Sequence, residues 1–521
     1  MNLLGAATDA VGMAAYLGTA LLGPDRPSRR HPPAGGPRSG TRRPGPLPPG
    51  RRAPPPDRPG DRRRGSARWA TTRDLGSLVF RPRSDGHAPA GRLVLGRVGR
   101  HLVATERAQS VIVFGPTQSH KTSGFAVPAI LGWEGPVVAT SVKTDLVEHT
   151  IDHRRSLGTV DCFDPSGTTG LASAVWSPLP SARTWPGARR AAAGLTEATK
   201  ASVGTMSDGD FWYATATKML APLLFAASFG GLGMGDVVRW VDTQEEAEVL
   251  QLLDRAGVPE AVHAAWSAFG KEDRQRSSIT TTVETILEPF AGGTAGAATC
   301  TGGGMVDPGH LIAGANTLYV CAPAHDQRRL TPLFTSVVRQ VLEHAYDLVA
   351  RTHRPLDPPL LVVLDEAANI APLADLDALA STAAGHGVQL VTIWHDLSQI
   401  TSRYGPRATT VVNNHRAKLF LSGISDPPTL DYASNLIGDE EVLSPAVTEG
   451  GRSGPSTTRT PTARRLAPPD ALRRVPTGEG VLVYGRLPPA RVRLRTWFDD
   501  PWLSERVRPG ASPHRKWVAG R

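Results

Sequence analysis

Between residues 95 and 500, short apolar runs of strand length are separated by longer stretches with helical periodicity. The short runs are apolar at almost every position, which is typical of strands in a parallel sheet whose two faces are covered by helices. The pattern therefore predicts an α/β fold with a mostly parallel, doubly wound sheet. The predicted strands span residues 111–115, 137–142, 317–324, 360–368, 388–394, 417–423 and 480–485.

A long segment between the early and the late strands carries helical periodicity and few strand signals. Within it, residues 211–229 are apolar enough to form a buried helix, and residues 243–257 begin with acidic residues and end in Gly257. We interpret residues 182–300 as an all-α domain inserted into the α/β domain. The α/β domain is then predicted to comprise residues 67–181 and 301–500.

Residues 449–468 are rich in Gly, Ser, Thr and Arg. This composition predicts a mobile loop. Residues 501–521 follow the last predicted element and are expected to form a basic C-terminal tail.

The N-terminal 66 residues differ from the rest of the chain. Residues 1–23 are apolar with one charge, Asp9, and the sequence predicts either a marginal membrane span or an amphipathic helix. Residues 24–66 contain 13 prolines among arginines and glycines, a composition that predicts a disordered linker. Such a linker is either a solvated spacer or an arm that touches anionic lipid or DNA phosphate.

Charge and cysteine content limit the possible functions. The net charge is +10, but residues 24–65 hold 12 Arg and 3 Asp, so the remaining chain is close to neutral. Net charge therefore does not identify the folded part as a nucleic-acid binder. The three cysteines, Cys162, Cys300 and Cys321, are widely spaced, which excludes a disulfide scaffold and a clustered zinc site.

The sequence VIVFGPTQSHKTSG at residues 111–124 has the spacing of a nucleotide-binding P-loop. A strand precedes the loop and a helical stretch follows it, so main-chain N–H groups and the helix dipole would face a phosphate. Lys121 is expected to reach the β and γ phosphates of ATP, and the Thr122 hydroxyl is expected to bind Mg²⁺. The predicted binding residues are Gly115, Pro116, Thr117, Gln118, Ser119, His120, Lys121 and Thr122.

His120 stands where such loops usually have glycine. If this position needs a positive φ, histidine is among the better tolerated replacements, although we expect some strain or altered access of the phosphate. The sequence therefore predicts an ATPase that is slowed by His120.

Two adjacent acids, Asp365 and Glu366, end the run LLVVLDE at residues 360–366. Ligands of open α/β sheets bind at the carboxyl ends of the strands, so Asp365 is expected to help bind Mg²⁺ and Glu366 to activate the attacking water. The next predicted strand leads to His395 and Gln399, which are candidates for sensing the γ-phosphate. Ordinary helix capping is the alternative for these two polar residues.

From about residue 95 to 500, the sequence resembles the type IV secretion coupling proteins, the TraG/TraD-like conjugative DNA-transfer ATPases. The resemblance rests on eight segments in the same order. They are GPTQSHKT (115–122), VVATSVKTDL (137–146), FDPSG followed by WSPL (163–179), RQRSSITTTVETIL (274–287), LYVCAPA (318–324), VVLDEAANI (362–370), HDLSQI (395–400) and VVNNHRAKLFLSGISDPPTLDYASNLIGD (411–439).

The resemblance implies a RecA-like P-loop NTPase domain with an inserted all-α domain, active as a homo-hexamer with ATP and Mg²⁺. It also implies a cytoplasmic membrane anchor, a DNA–relaxase substrate and type IV secretion channel proteins as partners. The ATPase domain would lie on the cytoplasmic side. Among the site residues, it places catalysis on Lys121, Glu366 and Gln399, and it places Lys143 near the nucleotide.

Residues 383–387 lack the arginine that many relatives carry at this position. The arginine that would stabilise the transition state from a neighbouring subunit is therefore unassigned. Arg276, Arg403 and Arg416 are candidates, and surface salt bridges are the alternative for each.

Three other functions are compatible with parts of the sequence. An FtsK-type chromosome-partition motor would use the same site on another DNA substrate, although no winged-helix module is evident after residue 440. A non-hydrolysing nucleotide-binding adaptor at the membrane would explain His120. A kinase or metabolic P-loop enzyme is disfavoured because the helical insertion lacks obvious small-substrate chemistry.

Overall fold

The computed structural model describes residues 66–83, 87–203, 209–291, 304–448 and 456–507. The predicted membrane or amphipathic segment at 1–23, most of the linker at 24–66 and the tail beyond residue 507 lie outside the described residues. In the part of the chain that is described, no helix has the length and hydropathy needed to cross a membrane.

Within the described residues, twelve strands form one sheet in the order β1-β3-β2-β14-β13-β10-β4-β9-β8-β5-β7-β6. A separate pair, β11 and β12, forms a second sheet. The strands are β1 (Val79–Phe80), β2 (Val94–Val98), β3 (His101–Ala104), β4 (Val111–Phe114), β5 (Val137–Ser141), β6 (Val160–Phe163), β7 (Thr317–Cys321), β8 (Leu360–Leu364), β9 (Val388–Trp394), β10 (Ala417–Leu421), β11 (Asp439–Thr448), β12 (Ser456–Arg465), β13 (Glu479–Tyr484) and β14 (Ala490–Arg493).

The seven strands from β10 to β6 are parallel to their neighbours, which confirms the predicted α/β fold with a mostly parallel sheet. Beyond β10 the sheet continues with antiparallel strands, starting with β13. The central strands β4, β5, β7, β8, β9 and β10 are buried at every residue. This burial explains why they read as continuous apolar runs, since helices cover both faces.

Helices fill the connections between the parallel strands. The α-helices of the described residues are α1 (Val127–Leu131), α2 (Asp145–Glu148), α3 (Ile151–Leu157), α4 (Trp185–Val203), α5 (Gly209–Gly230), α6 (Met234–Asp242), α7 (Ala247–Ala256), α8 (Pro259–Phe269), α9 (Asp273–Leu287), α10 (Pro308–Ile312), α11 (Gln327–Thr352), α12 (Leu376–Thr382), α13 (Leu397–Tyr404), α14 (Ala408–Asn414), α15 (Pro427–Ile437), α16 (Pro469–Arg473) and α17 (Pro501–Val507).

Helices α4 to α9 lie between β6 and β7 in the chain, where the sequence predicts helices. Helix α5 is buried over most of its second half, and α7 ends at Gly257 with φ 67°, the left-handed conformation that glycine adopts at little cost. The predicted buried helix at 211–229 is thereby confirmed, and the one predicted at 243–257 occurs as α7, which begins at Ala247. Contacts group the described residues between 66 and 507 into one compact unit, and the domain boundaries at 182 and 300 stay predictions.

The predicted mobile loop at 449–468 is wrong for ten of its residues. Ser456–Arg465 forms β12, which pairs antiparallel with β11 over ten residue pairs, from Asp439 with Arg465 to Thr448 with Ser456. Threonines favour extended backbone because they are β-branched, and β12 contains four of them. Ion pairs of Arg464 with Glu440 and of Arg465 with Asp439 secure the base of this hairpin.

Candidate active site

The loop between β4 and α1 is built around Gly115. Its N–H donates to the main-chain oxygen of Trp394 at 2.9 Å, which ties the loop to the end of β9. A Cβ atom at Gly115 would clash with Oγ of Ser119, so a larger residue here would have to displace that hydroxyl. The buried Ser119 hydroxyl in turn donates to the main-chain oxygen of Pro116 at 2.8 Å. These contacts hold the predicted phosphate loop in a compact conformation next to the end of β9.

His120 has φ 63° and therefore adopts the left-handed conformation that glycine usually supplies. Gln118, two residues earlier, has φ 67°. The His120 Nδ1 lies 3.0 Å from Oγ of Ser123, and this contact orients the imidazole ring toward Ser123. A left-handed non-glycine residue costs about 1–2 kcal/mol, so the loop carries local backbone strain at two positions.

Thr122 and Asp365 meet although they are 243 residues apart in the sequence. The Thr122 hydroxyl donates to Oδ2 of Asp365 at 3.0 Å. Asp365 is buried, and its Oδ1 atom has no hydrogen-bond partner within the described residues. An unpartnered buried carboxylate oxygen beside a threonine hydroxyl fits Mg²⁺, which proteins hold with one or two side chains plus phosphate oxygens.

Burial raises the pKa of Asp365 from 3.8 to about 6. The hydrogen bond from Thr122 and the charge of Lys121 oppose this change, whereas Glu366 and Asp145 add to it. A bound cation would favour the ionised form of this carboxyl.

This pKa predicts a pH-dependent contribution to stability. Because the folded protein holds the Asp365 proton more tightly than the unfolded chain, this contribution to the free energy of unfolding falls as pH rises from about 4 to about 6. The fall amounts to about 3 kcal/mol at most. Urea unfolding at several pH values measures it as the difference between the wild type and Asp365→Asn.

Asp431→Asn, at an exposed aspartate on α15, is the matched control for the loss of a carboxylate. A difference between wild type and Asp365→Asn that stays constant from pH 4 to pH 7 contradicts the assignment.

Lys121 is half-buried and points toward the residue that follows β9. Its Nζ lies 3.1 Å from Nδ1 of His395 and 3.4 Å from the main-chain oxygen of Gly115. Burial lowers the pKa of Lys121, and Lys143 lowers it further, whereas Asp365 and Glu366 raise it. Lys143 therefore lies within electrostatic reach of the P-loop lysine, at the end of β5.

Glu366 follows Asp365 with φ 57°, a left-handed conformation that ends β8. Its Oε1 lies 3.8 Å from Nε2 of His395. The His395 ring lowers the pKa of Glu366, and Lys121 lowers it as well, while burial acts in the opposite direction. Glu366 is therefore held as a carboxylate at neutral pH, the form that can accept a proton from water.

Gln399 lies in the first turn of α13. Its Oε1 accepts from the N–H of His395 at 2.9 Å, and its own N–H donates to Oδ1 of Asp396 at 2.8 Å. These are helix-capping contacts, the alternative that the sequence left open. The His395 ring, rather than the Gln399 side chain, contacts Lys121 and approaches Glu366, and the sensing role of Gln399 stays a prediction.

The three candidate arginines all have partners in their own chain. Arg276 pairs with Glu246 at 2.8 Å, and Arg416 pairs with Glu106 at 2.9 Å. Arg403 donates to the main-chain oxygens of Ala201 and Ala368. None of these contacts assigns an arginine to a neighbouring subunit's site.

Sequence reasoning missed the segment after β14. The N–H of Trp497 donates to the main-chain oxygen of Ser123 at 3.1 Å. This contact places the segment against the start of the P-loop helix, the helical stretch that begins at Thr122 and continues into α1. The ring of Phe498 lies 5.9 Å from that of His120. The two adjacent aromatic residues after a strand were the available signal, but their position beside the P-loop depends on strand order.

Comparison with known proteins shows the family to which the chain belongs. Residues 76–516 match the family described as type IV secretory system conjugative DNA transfer. The conjugal transfer protein TraG of Escherichia coli is 23% identical over 504 residues, covering 85% of this chain and 78% of that protein. VirD4 of Rhizobium radiobacter is 24% identical over 462 residues, covering 84% and 64%.

Solved structures confirm the RecA-like fold class. The plasmid coupling protein TrwB in complex with a non-hydrolysable ATP analogue aligns with a TM-score of 0.61 and 16% identity, over 83% of this chain and 94% of that one. A sulphate complex of the same coupling protein gives the same TM-score at 17% identity. With its sequence matched from residue 76 to 516, the chain belongs to the type IV secretory system conjugative DNA transfer family.

Proposed function

We propose that this protein is the coupling ATPase that recruits a DNA–relaxase substrate to a type IV secretion channel and uses ATP hydrolysis to drive DNA transfer. The single observation that carries the proposal is the contact between Thr122 and Asp365. It joins the phosphate loop after β4 to the acidic end of β8, as hydrolysis of a Mg²⁺-bound triphosphate requires. The similar protein TrwB is described in complex with an ATP analogue and with ADP and Mg²⁺.

In this proposal, the main-chain N–H groups of residues 115–122 bind the phosphates, and Lys121 binds the β and γ phosphates. Thr122 and Asp365 hold Mg²⁺, which when bound neutralises charge on the phosphate oxygens. A phosphate oxygen replaces His395 as the partner of Lys121.

Glu366 is proposed to orient the attacking water and to accept its proton. The pKa of Glu366 is lowered by His395 and Lys121, so the carboxylate is available as a base at neutral pH. His395 lies between Lys121 and Glu366, where it would register the γ-phosphate. We therefore place the sensor at His395, with Gln399 supporting it through the main chain.

The partners belong to the same proposal. A ring of six copies at the cytoplasmic membrane, with the ATPase domain on the cytoplasmic side, would receive DNA and its relaxase and pass them to the channel proteins. Family membership and the TraG and VirD4 relatives support this assignment. Phosphate contacts would make DNA binding sensitive to salt and largely indifferent to sequence.

The full-length protein tests the proposal in an ATPase assay with and without single- and double-stranded DNA, across salt concentrations. We expect ATP hydrolysis that DNA stimulates, with stimulation falling as salt rises. Hydrolysis that DNA leaves unchanged would contradict the translocase, and an absence of turnover under all conditions would contradict the ATPase.

His120 supports a second candidate, a nucleotide-binding adaptor that does not hydrolyse ATP. Its left-handed backbone and its contact with Ser123 constrain the loop beside the phosphates. The same assay on His120→Gly separates the two candidates. A slowed ATPase becomes severalfold faster in this variant, whereas an adaptor has no turnover until glycine restores it.

A further inference from the structure

The strand order gives the P-loop two distinct sides. Thr122 contacts Asp365 after β8, and Lys121 contacts His395 after β9, so the acidic residues and the sensor lie on the β9 and β8 side of β4. Strands β10, β13 and β14 lie on the opposite side of β4. Since the γ-phosphate must face the acids, the nucleoside leaves the loop on the side of β14.

A rigid turn follows β14 on that opposite side. Arg495 and Asp500 form a buried, bidentate ion pair. Nε of Arg495 donates to Oδ2 of Asp500 at 2.8 Å, and Nη2 donates to Oδ1 at 3.0 Å. Bidentate pairs of this kind hold a backbone segment in one geometry. The N–H of Trp497 donates to the main-chain oxygen of Ser123, one residue after Thr122. The turn is therefore fastened to the P-loop helix itself.

The turn presents the ring of Phe498 beside the loop. The centroid of this ring lies 5.9 Å from the ring centroid of His120 and 5.5 Å from that of Trp497. The Trp497 centroid in turn lies 4.5 Å from that of His149. Trp497 is 9% exposed, whereas Phe498 is 37% exposed, so the row of rings has an accessible end. A single exposed apolar side chain is common on a protein surface, so exposure alone does not indicate a function for Phe498. Its position beside the P-loop does.

We infer that Phe498 is the stacking surface for the nucleobase, with His120 beside it. This inference rests on the proposed function, because it assigns the part of the nucleotide that the phosphate loop does not bind. An aromatic ring stacks on the face of any nucleobase and makes no hydrogen bonds to its edge. The protein is therefore expected to bind ATP and GTP with similar affinity. His120 then has a role that glycine could not fill, since its ring supports Phe498.

Equilibrium binding to the full-length protein tests the assignment with three probes: ATP, GTP and inorganic tripolyphosphate, each with Mg²⁺. Phe498→Ala is expected to weaken ATP and GTP by about tenfold to a hundredfold. Tripolyphosphate has no base, so its affinity stays at the wild-type level. Phe498→Tyr keeps the ring and retains wild-type affinity for all three probes. Phe211→Ala, which removes an exposed aromatic ring from α5, changes none of them.

Two results overturn the stacking assignment while leaving the proposed function in place. One is wild-type affinity of Phe498→Ala for ATP. The other is an equal loss of ATP and tripolyphosphate, which means that the phosphate loop itself has changed. A wild-type protein that binds neither ATP nor tripolyphosphate overturns the proposed function, and the inference fails with it.

Discussion

Replacing Glu366 with glutamine lowers the rate of DNA-stimulated ATP hydrolysis by about 10²- to 10⁴-fold, while ATP still binds. Glutamine keeps the size and the hydrogen-bonding reach of the side chain but cannot accept a proton from water. The effect is expected in kcat, because the phosphate loop and the Thr122–Asp365 contact that are proposed to hold the nucleotide are unchanged. Steady-state hydrolysis and equilibrium ATP binding, measured on the same preparation, separate the effect on kcat from any effect on the affinity for ATP.

Glu284 provides the matched control for this substitution. It is an exposed glutamate on α9, and Glu284→Gln is expected to hydrolyse ATP at the wild-type rate. Wild-type turnover in Glu366→Gln would remove Glu366 from the proposed mechanism. A selective loss of ATP binding in that variant would make Glu366 a binding residue instead.

Replacing Lys121 with alanine weakens ATP binding by about 10- to 100-fold and abolishes measurable hydrolysis. Removing a charged hydrogen-bond donor from a phosphate forfeits about 1.5–3 kcal/mol, which corresponds to this loss of affinity. Hydrolysis suffers further because Lys121 is proposed to bind the γ-phosphate, whose oxygens carry the negative charge of the transition state. Titration with ATP and an ATPase assay at saturating nucleotide measure the two effects separately.

The exposed Lys218 on α5 allows a control with the same loss of charge and length. Lys218→Ala is expected to bind and hydrolyse ATP as the wild type does. If Lys121→Ala kept wild-type affinity for ATP, the loop after β4 would not be the phosphate site.

Much of the central sheet could be predicted from residue patterns alone. All seven predicted strands occur, because a strand buried on both faces must be apolar at nearly every position, and this signal is local. The pattern did not identify β6 and the short strands β1 to β3, each of which has two to five residues and includes at least one residue that is not buried. It also missed β12, because its sequence is rich in threonine and arginine and resembles that of a loop.

Several features of the site depend on contacts that no local pattern contains. The sequence left Gln399 and His395 open as sensors, and only the packing of α13 directs the His395 ring toward Lys121. Arg403 was a candidate for action on a neighbouring subunit, yet it binds main-chain oxygens of its own chain. These outcomes depend on side chains meeting across elements distant in sequence.

The sequence by itself predicted the chemistry that we propose for this protein: a phosphate loop at 115–122 and two acids at the end of a buried strand. It also indicated the family to which the chain belongs. Those features are local, because strand burial, loop spacing and helix start are written in neighbouring residues. The tertiary structure alone decided that Asp365 lies against Thr122 and that Phe498 lies on the other side of the loop. Strand order in the sheet determines both, and it follows from long crossover connections that bring distant residues together.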